Sequence, residues 1–338
     1  MKINFVVSED KSSRIFSDIF RRFIDSGQAA IVISEKPIDD ADIYHYHRPQ
    51  MEQSLEPNSV VTVHHDLDDI DPFVRFDRFA DRYREASTIV CLNSIQQSKL
   101  AALGYRNTVV IPHGYDENLF TKSKPKAFPS SRKVQIGMIS KRYPRRFKGE
   151  VLFYELLDRL PTERFRFILV GEGRSKDSLY MSNLGFEVEC HEIMPYRLFP
   201  SVYAEIDALL MCSTFEGGPA NIPEAVASGT PVICTKIGMV PDMIFDGMNG
   251  IHLTGRADRD AQRIIDWATN RDGNYDTLAK GANKVHSAPT WTEVINRHMT
   301  LYHHLLNKRS LVDLVWNDHN SSDPFLETAS VGERAPVF

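Results

Sequence analysis

The sequence predicts an α/β protein made of two doubly wound, parallel-sheet domains facing a cleft. Three observations lead there. The chain has 338 residues, more than one average domain and comfortable for two. Its apolar residues fall into two successive sets of short strand-like runs alternating with helical patterns, the order expected of parallel sheets. Between the sets, residues 122–132 carry Pro125, Pro129, serines and lysines, a linker composition.

In the first set, residues 3–7, 30–34, 43–47, 60–64, 88–92 and 109–111 read as strands. Ile15, Phe16, Ile19, Phe20 and Phe23 recur at helical spacing, as do Phe73, Phe76, Phe79 and Tyr83. Each aromatic stripe fits a helix packed on a sheet. Arg14, Arg21, Arg22, Arg75, Arg78 and Arg82 accompany them, which leaves open a docking face for a membrane surface or a substrate. In the second set, 134–139, 167–170, 186–190, 208–211, 232–235 and 250–253 read as strands, with helices near 149–159, 198–206 and 222–228. Thr290 with Glu293 three residues on forms a capping box opening a last helix to about residue 307. The division is therefore 1–124 for the first domain, 125–290 for the second, 291–310 for a helix and 311–338 for an irregular tail with Pro324 and Pro336.

The composition, 42% hydrophobic and 25% charged, is that of a soluble globular protein. A net charge of −5 offers no basic field for nucleic acid. Cys91, Cys190, Cys212 and Cys234 are scattered without a Cys-x-x-Cys pair, as expected of reduced, buried thiols in a cytoplasmic protein. Residues 1–7 turn polar at once in Ser8-Glu-Asp-Lys11, unlike a signal peptide. No apolar run approaches the ~18 residues of a membrane span.

The most informative stretch runs from Ser213 to Thr235. It places Glu216 and Glu224 with seven residues between them, around Gly217-Gly218-Pro219 and a short helix. Pro223 suits the first helical position and Gly229 the helix exit. Ligands of such sheets bind at the carboxyl ends of strands, and a Gly-rich turn before a helix attracts phosphate. Carboxylates beside that spot accept from hydroxyls, so phosphate and hydroxyls together suggest a nucleotide sugar. Residues 139–149 pack five basic residues before a helix; Arg142 and Lys148 fit a diphosphate clamp. Val170-Gly-Glu-Gly173 is half of a dinucleotide fingerprint and reads as a tight turn. His64 and His65 end a strand at the cleft, and either one fits a sugar contact or a structural role; His45 and His47 share that ambiguity. The acidic loop Asp66-Leu-Asp68-Asp69-Ile-Asp71 fits a solvated turn, with a hard cation as the alternative. Ile111-Pro-His-Gly114-Tyr-Asp116 reads as a turn.

With these motifs in place, the chain resembles the retaining GT-B glycosyltransferases of family 4 (glycosyltransferase group 1), whose fold is two Rossmann-like domains. Glu216 and Glu224 match the family's Glu-x7-Glu motif, and Arg142 with Lys148-Gly149 its Arg-x5-Lys-Gly element. Pro112, Gly114 and Asp116 match its inter-domain turn, Thr62-Val63-His64 a strand end, and residues 291–306 its closing Trp-led helix. The resemblance spans about residues 1–310. Two departures stand out. The loop after the first strand, Ser8 to Ser13, holds no glycine, and the family's Gly-Gly-x-Pro-Glu reads Gly238-Met-Val-Pro241-Asp242.

The resemblance implies transfer of a sugar from a UDP- or GDP-linked donor to a carbohydrate or lipid-linked saccharide, with retention, in surface polysaccharide or glycoconjugate assembly. Arg142 and Lys148 would hold the diphosphate. Gly217, Gly218, Pro219, Asn221 and Ile222 would line the donor, Glu224 would take the ribose, and Glu216 and His64 the sugar. No cofactor and no metal are expected, and the protein is expected in the cytoplasm, with weak association at the inner membrane face. Two alternatives remain: an epimerase or phosphorylase of the same fold, and a silent sugar-nucleotide-binding assembly protein.

Overall fold

Two parallel sheets of six strands each organise the chain. A computed structural model describes residues 1–7, 14–143, 145, 147–270, 274–311 and 314. The glycine-free loop 8–13 and nearly all of the tail 311–338 lie outside the described residues.

The first sheet comprises β1 (Lys2–Val6), β2 (Ala30–Ser34), β3 (Ile43–Tyr46), β4 (Ser59–Val63), β5 (Thr88–Cys91) and β6 (Thr108–Val110). Helices α1 (Arg14–Asp25), α2 (Ala80–Glu85) and α3 (Ser94–Ala102) accompany it. The second comprises β7 (Val134–Ile139), β8 (Phe165–Val170), β9 (Glu187–His191), β10 (Ala208–Met211), β11 (Val232–Thr235) and β12 (Gly250–Leu253). Its helices are α4 (Glu150–Leu157), α5 (Ser175–Asn183), α6 (Phe199–Glu205), α7 (Asn221–Ser228), α8 (Val240–Met243), α9 (Ala257–Thr269) and α10 (Asp276–Lys284), followed by α11 (Trp291–Leu306).

Parallel strands covered on both faces read as continuous apolar runs, and β7 and β10 are buried along their whole length. Alternation along β10 sends Leu210 into a core with Ile136 and Phe167, and Leu209 into one with Ile139 and Ile168 on the opposite face. In α1, Phe16, Ile19, Phe20 and Phe23 are buried against Ile3 and Phe5, so that stripe is a packing face. The second stripe does not form one helix. Phe76 lies in a short 3-10 turn, Phe79 and Tyr83 are buried, and Phe73 is 77% exposed.

Strand order locates the crevices. The first sheet runs β2-β1-β3-β4-β5-β6 and reverses direction between β1 and β3. The second runs β12-β11-β10-β7-β8-β9 and reverses between β10 and β7. Loops leaving strands on either side of such a reversal diverge and open a ligand crevice.

The last helix returns to the first sheet. Thr290 Oγ1 accepts from the Glu293 amide at 3.1 Å, and Glu293 accepts from the Thr290 amide at 2.7 Å, completing the expected capping box. Val294, Ile295, Met299 and Tyr302 then enter the core with Ile3, Phe5 and Val60. A side chain at Gly114 would come within 2.7 Å of the Thr290 carbonyl carbon, so only glycine lets the inter-domain turn lie against this helix start. Among the described residues, no helix is long and apolar enough to cross a membrane.

Candidate active site

The second-sheet crevice is built by the loops after β7 and β10, which are neighbours in the sheet. Gly149 ends the β7 loop in the left-handed region, at φ 78°. A side chain there would run into the carbonyl of Cys212, so the glycine sets the basic loop directly against the β10 loop. Lys148 consequently reaches across and donates to Glu216 Oε1, which also accepts from Ser213 Oγ at 2.8 Å. The Lys148 ammonium lies 5.0 Å from the Phe147 ring and 5.7 Å from that of Tyr143, a cation–π cradle.

Arg142 leaves the same strand but turns back. Its Nε donates to Asp177 Oδ1 at 3.1 Å, and its Nη2 lies 3.4 Å from the Tyr154 hydroxyl. Asp177 is fully buried and also holds Arg174 at 2.7 Å. Two guanidiniums on one carboxylate leave positive charge beside the loop. Helix α7 begins at Asn221, so Pro223 occupies its third position, not the first. This is tolerated because the first four helical N–H groups have no intrahelical acceptor. Gly229 closes the helix at φ 68° as expected. The Asn221 side chain donates to the Ile139 carbonyl at 3.2 Å, and the Ile222 side chain is fully buried in the core. Both oxygens of Glu224 accept from phenols, Tyr196 and Tyr203, each at 2.8 Å. Burial pushes the Glu224 carboxyl up to about 7.

The first domain closes on this loop. A side chain on Gly217 would collide with the backbone of His64, so the Thr-Val-His strand end and the Glu-Gly-Gly loop abut. The Glu216 amide donates to Asp66 at 3.3 Å, Asn93 Nδ2 to the Gly217 carbonyl at 2.7 Å, and His113 Nδ1 to the Gly218 carbonyl at 3.1 Å. Asp242 accepts from the Ser94 amide at 2.8 Å and from its hydroxyl. Arg145 spans Asp69, at 2.7 and 3.1 Å, and Asp71, at 2.8 Å. Pro219 lies against Gly238, where an added Cβ would sit 3.1 Å from its ring.

The two adjacent histidines have separate environments. His65 turns inward, stacks on Phe79 at 4.0 Å and meets the Tyr83 hydroxyl at 2.8 Å. His64 stays partly exposed at the cleft, with its Nε2 2.7 Å from Nδ1 of His47. His45 is fully in the core, between the hydroxyls of Tyr302 and Thr62. The acidic loop is a clasp: Asp66, Asp69 and Asp71 are committed to the other domain, and Asp68 pairs with Lys99. Among the described residues, no group of three or more His, Cys, Asp or Glu is arranged to hold a metal.

The structure thus brings Lys148, Glu216, Gly217, Gly218 and His64 together. It sets Glu224 beneath two tyrosines, and Arg142 against Asp177. Asn93, His113 and the two tyrosines carry contacts that the sequence reading missed. Asn93 has a local signal as the residue capping α3, its Oδ1 accepting from the Gln96 amide at 2.9 Å. Nothing local signals the bond that its amide makes to the other domain.

Comparison with known proteins follows the same lines. Residues 121–285 match the family model for glycosyl transferases group 1. A D-inositol 3-phosphate glycosyltransferase of Corynebacterium aurimucosum is 25% identical over 252 residues, 66% of this chain and 58% of that protein. A lipopolysaccharide 1,6-galactosyltransferase of Salmonella typhimurium is 30% identical over 114 residues, 31% of this chain and 32% of that protein. The chain therefore spans 58% or less of the length of these relatives. Among solved structures, Anabaena HepE in complex with UDP and glucose superposes with a TM-score of 0.67 at 19% identity, covering 90% of this chain and 99% of that one. Sucrose-phosphate synthase of Thermosynechococcus elongatus does so at 0.71 and 14% identity, covering 91% and 100%. The fold is GT-B, two Rossmann-like domains across a cleft, and residues 121–285, most of the second domain, are similar to the glycosyl transferases group 1.

Proposed function

We propose that the chain transfers a sugar from a nucleotide-diphosphate sugar to an acceptor hydroxyl, with retention of anomeric configuration and without a metal. The observation that carries this reading is the meeting of Lys148 and Glu216 at the reversal point of the second sheet, directly against the His64 strand end of the first. A cation, a hydroxyl-accepting carboxylate and a glycine-rich backbone at one crevice suit a phosphorylated sugar.

In this reading Lys148, backed by the charge at Arg142, stabilises negative charge on the departing diphosphate, the electrostatic role that commonly dominates such catalysis. Glu216 orients hydroxyls of the donor sugar, with Gly217, Gly218, Pro219 and Asn221 beside it. Glu224 receives ribose hydroxyls in exchange for its tyrosine partners. The acceptor oxygen bonds to the anomeric carbon as the bond to phosphate breaks, and the acceptor proton passes to the leaving phosphate on the same face. No side-chain base is needed. The family match and the UDP complex of Anabaena HepE support a nucleotide donor. The likeness to a lipopolysaccharide galactosyltransferase supports a role in surface polysaccharide assembly. Ile70 and Phe73, 76% and 77% exposed beside Arg75 and Arg78, support weak contact with a membrane surface. Co-sedimentation with anionic vesicles tests that contact.

The test of the reaction is incubation with UDP- and GDP-linked hexoses, with and without saccharide acceptors, following nucleotide release and the anomer of the product by NMR. Acceptor-dependent release with a retained anomer supports the proposal. Release without any new glycoside favours an epimerase or phosphorylase, and binding without release favours a silent domain.

A further inference from the structure

His47 and His64 meet nitrogen to nitrogen, edge to edge. His47 follows β3 and His64 follows β4, neighbouring strands of the first sheet. Nδ1 of His47 lies 2.7 Å from Nε2 of His64, with ring centroids 4.9 Å apart and ring planes only 22° apart. At that distance one nitrogen donates and the other accepts, and the surroundings decide which.

The other nitrogen of His47, Nε2, is buried and has no hydrogen-bond partner among the described residues. The ring is 5% exposed and packs among Phe5, Phe16 and Phe20, with centroids at 5.6, 5.6 and 4.8 Å, and on His45 at 4.6 Å. A proton on that nitrogen would be a buried N–H without an acceptor, which native structures rarely contain. A lone pair there is the lesser cost. Among the described residues, the charged and titratable groups acting on His47 are His45, His298, His113 and Arg48, with no carboxylate among them, so none of these favours an imidazolium. Burial likewise holds both rings well below the usual histidine range. His47 is therefore neutral, carries its proton on Nδ1 and donates it to Nε2 of His64. His64, also neutral, must hold its own proton on Nδ1.

We infer that His47 is a positioning residue that locks His64 in the Nδ1–H tautomer, so that His64 meets the donor sugar as a hydrogen-bond donor and is unavailable as a general base. The sugar contact rests on the function proposed above; the tautomer rests on the contact between the rings and on the buried, unpartnered Nε2 of His47. An oxygen of the ligand, not an acidic proton, is what His64 is prepared to receive.

The test is long-range 1H–15N correlation on the full chain labelled at histidine, with His64 assigned by loss of its signals in His64→Phe. The expected wild-type pattern has Nδ1 of His64 protonated and Nε2 bare. His47→Asn keeps a donor at the place of Nδ1 and should keep that pattern. His47→Phe keeps the shape, removes the donor and should move the proton of His64 to Nε2. With a nucleotide sugar, His47→Phe should lose roughly tenfold in kcat/KM, the worth of one hydrogen bond, and His47→Asn should recover it. Protonation of His64 on Nε2 in the wild type overturns the inference, even if His47→Phe fails to fold. So does an unchanged His64 tautomer in a folded His47→Phe protein. If the tautomer is as inferred but His64→Ala turns over like wild type, the sugar contact falls and the positioning by His47 stands.

Discussion

Asp69 takes the guanidinium of Arg145 across the cleft in a two-point fork, Nη2 to Oδ2 at 2.7 Å and Nη1 to Oδ1 at 3.1 Å. The two residues belong to opposite domains, and Asp69 is nearly buried while Arg145 is one-third exposed. Asp66, Asp69 and Asp71 of the acidic loop are thus engaged in holding the domains together.

Breaking that fork should loosen closure without dismantling either domain. A partly exposed ion pair contributes about 1 kcal/mol, so Arg145→Ala should raise the donor KM roughly fivefold while leaving thermal stability near wild type. Small-angle scattering should show a larger mean radius for the variant. Turnover should survive EDTA, and loss of activity restored by Mn²⁺ or Mg²⁺ would overturn the metal-free proposal.

Lys148 is the cation that meets the departing diphosphate in the proposed mechanism. Lys148→Ala should retain the wild-type melting temperature and lose on the order of 10²–10³ in kcat, equivalent to about 2.7–4 kcal/mol. Wild-type turnover in the folded variant would remove Lys148 from the reaction.

The paired glutamates should separate by ligand. Glu224→Ala should weaken both free nucleotide and nucleotide sugar, whereas Glu216→Ala should leave nucleotide affinity intact and lower turnover. Titration calorimetry beside initial rates checks this. Because burial raises the free Glu224 carboxyl to about 7, ribose hydroxyls that need a carboxylate should bind with release of a proton. Affinity for a nucleotide sugar should then strengthen as pH rises from 6 to 8, and Glu224→Gln should flatten that slope.

Acid should unfold the first domain through its histidines. Burial lowers His65, His113 and His298 from 6.5 to about 4, and His45, His47 and His64 well below the usual range. A depressed folded value means stability is whole above pH 6.5 and is lost as pH falls through 4. Each shift of this size is worth on the order of 3 kcal/mol. Glu224 works in the opposite direction, gaining about 3 kcal/mol as pH falls from 7 to 4.5, and is outnumbered. Melting temperature should therefore drop steeply between pH 6.5 and 4; a flat profile would contradict the buried, neutral assignment.

The sheets were legible because parallel strands write themselves as apolar runs: residues 134–139 and 208–211 emerged as β7 and β10 with those bounds. Lys148 and Glu216 were legible as motif members, and Gly149 explains why the motifs meet. Less was written locally elsewhere. The helix at Phe73 fails because Asp69 and Asp71 accept from the amides two residues on, at 3.0 and 2.8 Å, and hold the chain in turns. The bonds of Asn93 and His113 to the glycine carbonyls depend on the angle between domains, which no periodicity encodes. The phenol partners of Glu224 were not legible beside its expected ribose role, because Tyr196 and Tyr203 stand 28 and 21 residues away in sequence.

Helix α11 lies after the whole second domain in the chain yet completes the core of the first. During synthesis, the glycosyl transferases group 1 region can finish folding while the earlier-made half still waits for its last wall. Until Val294, Ile295 and Tyr302 arrive, the part of the apolar face of β1 and β4 beside α1 is uncovered and His45 lacks its phenol partner. The opening half of the chain is thus the closing step of its folding, and a chain released before residue 291 would present that uncovered face to chaperones and proteases.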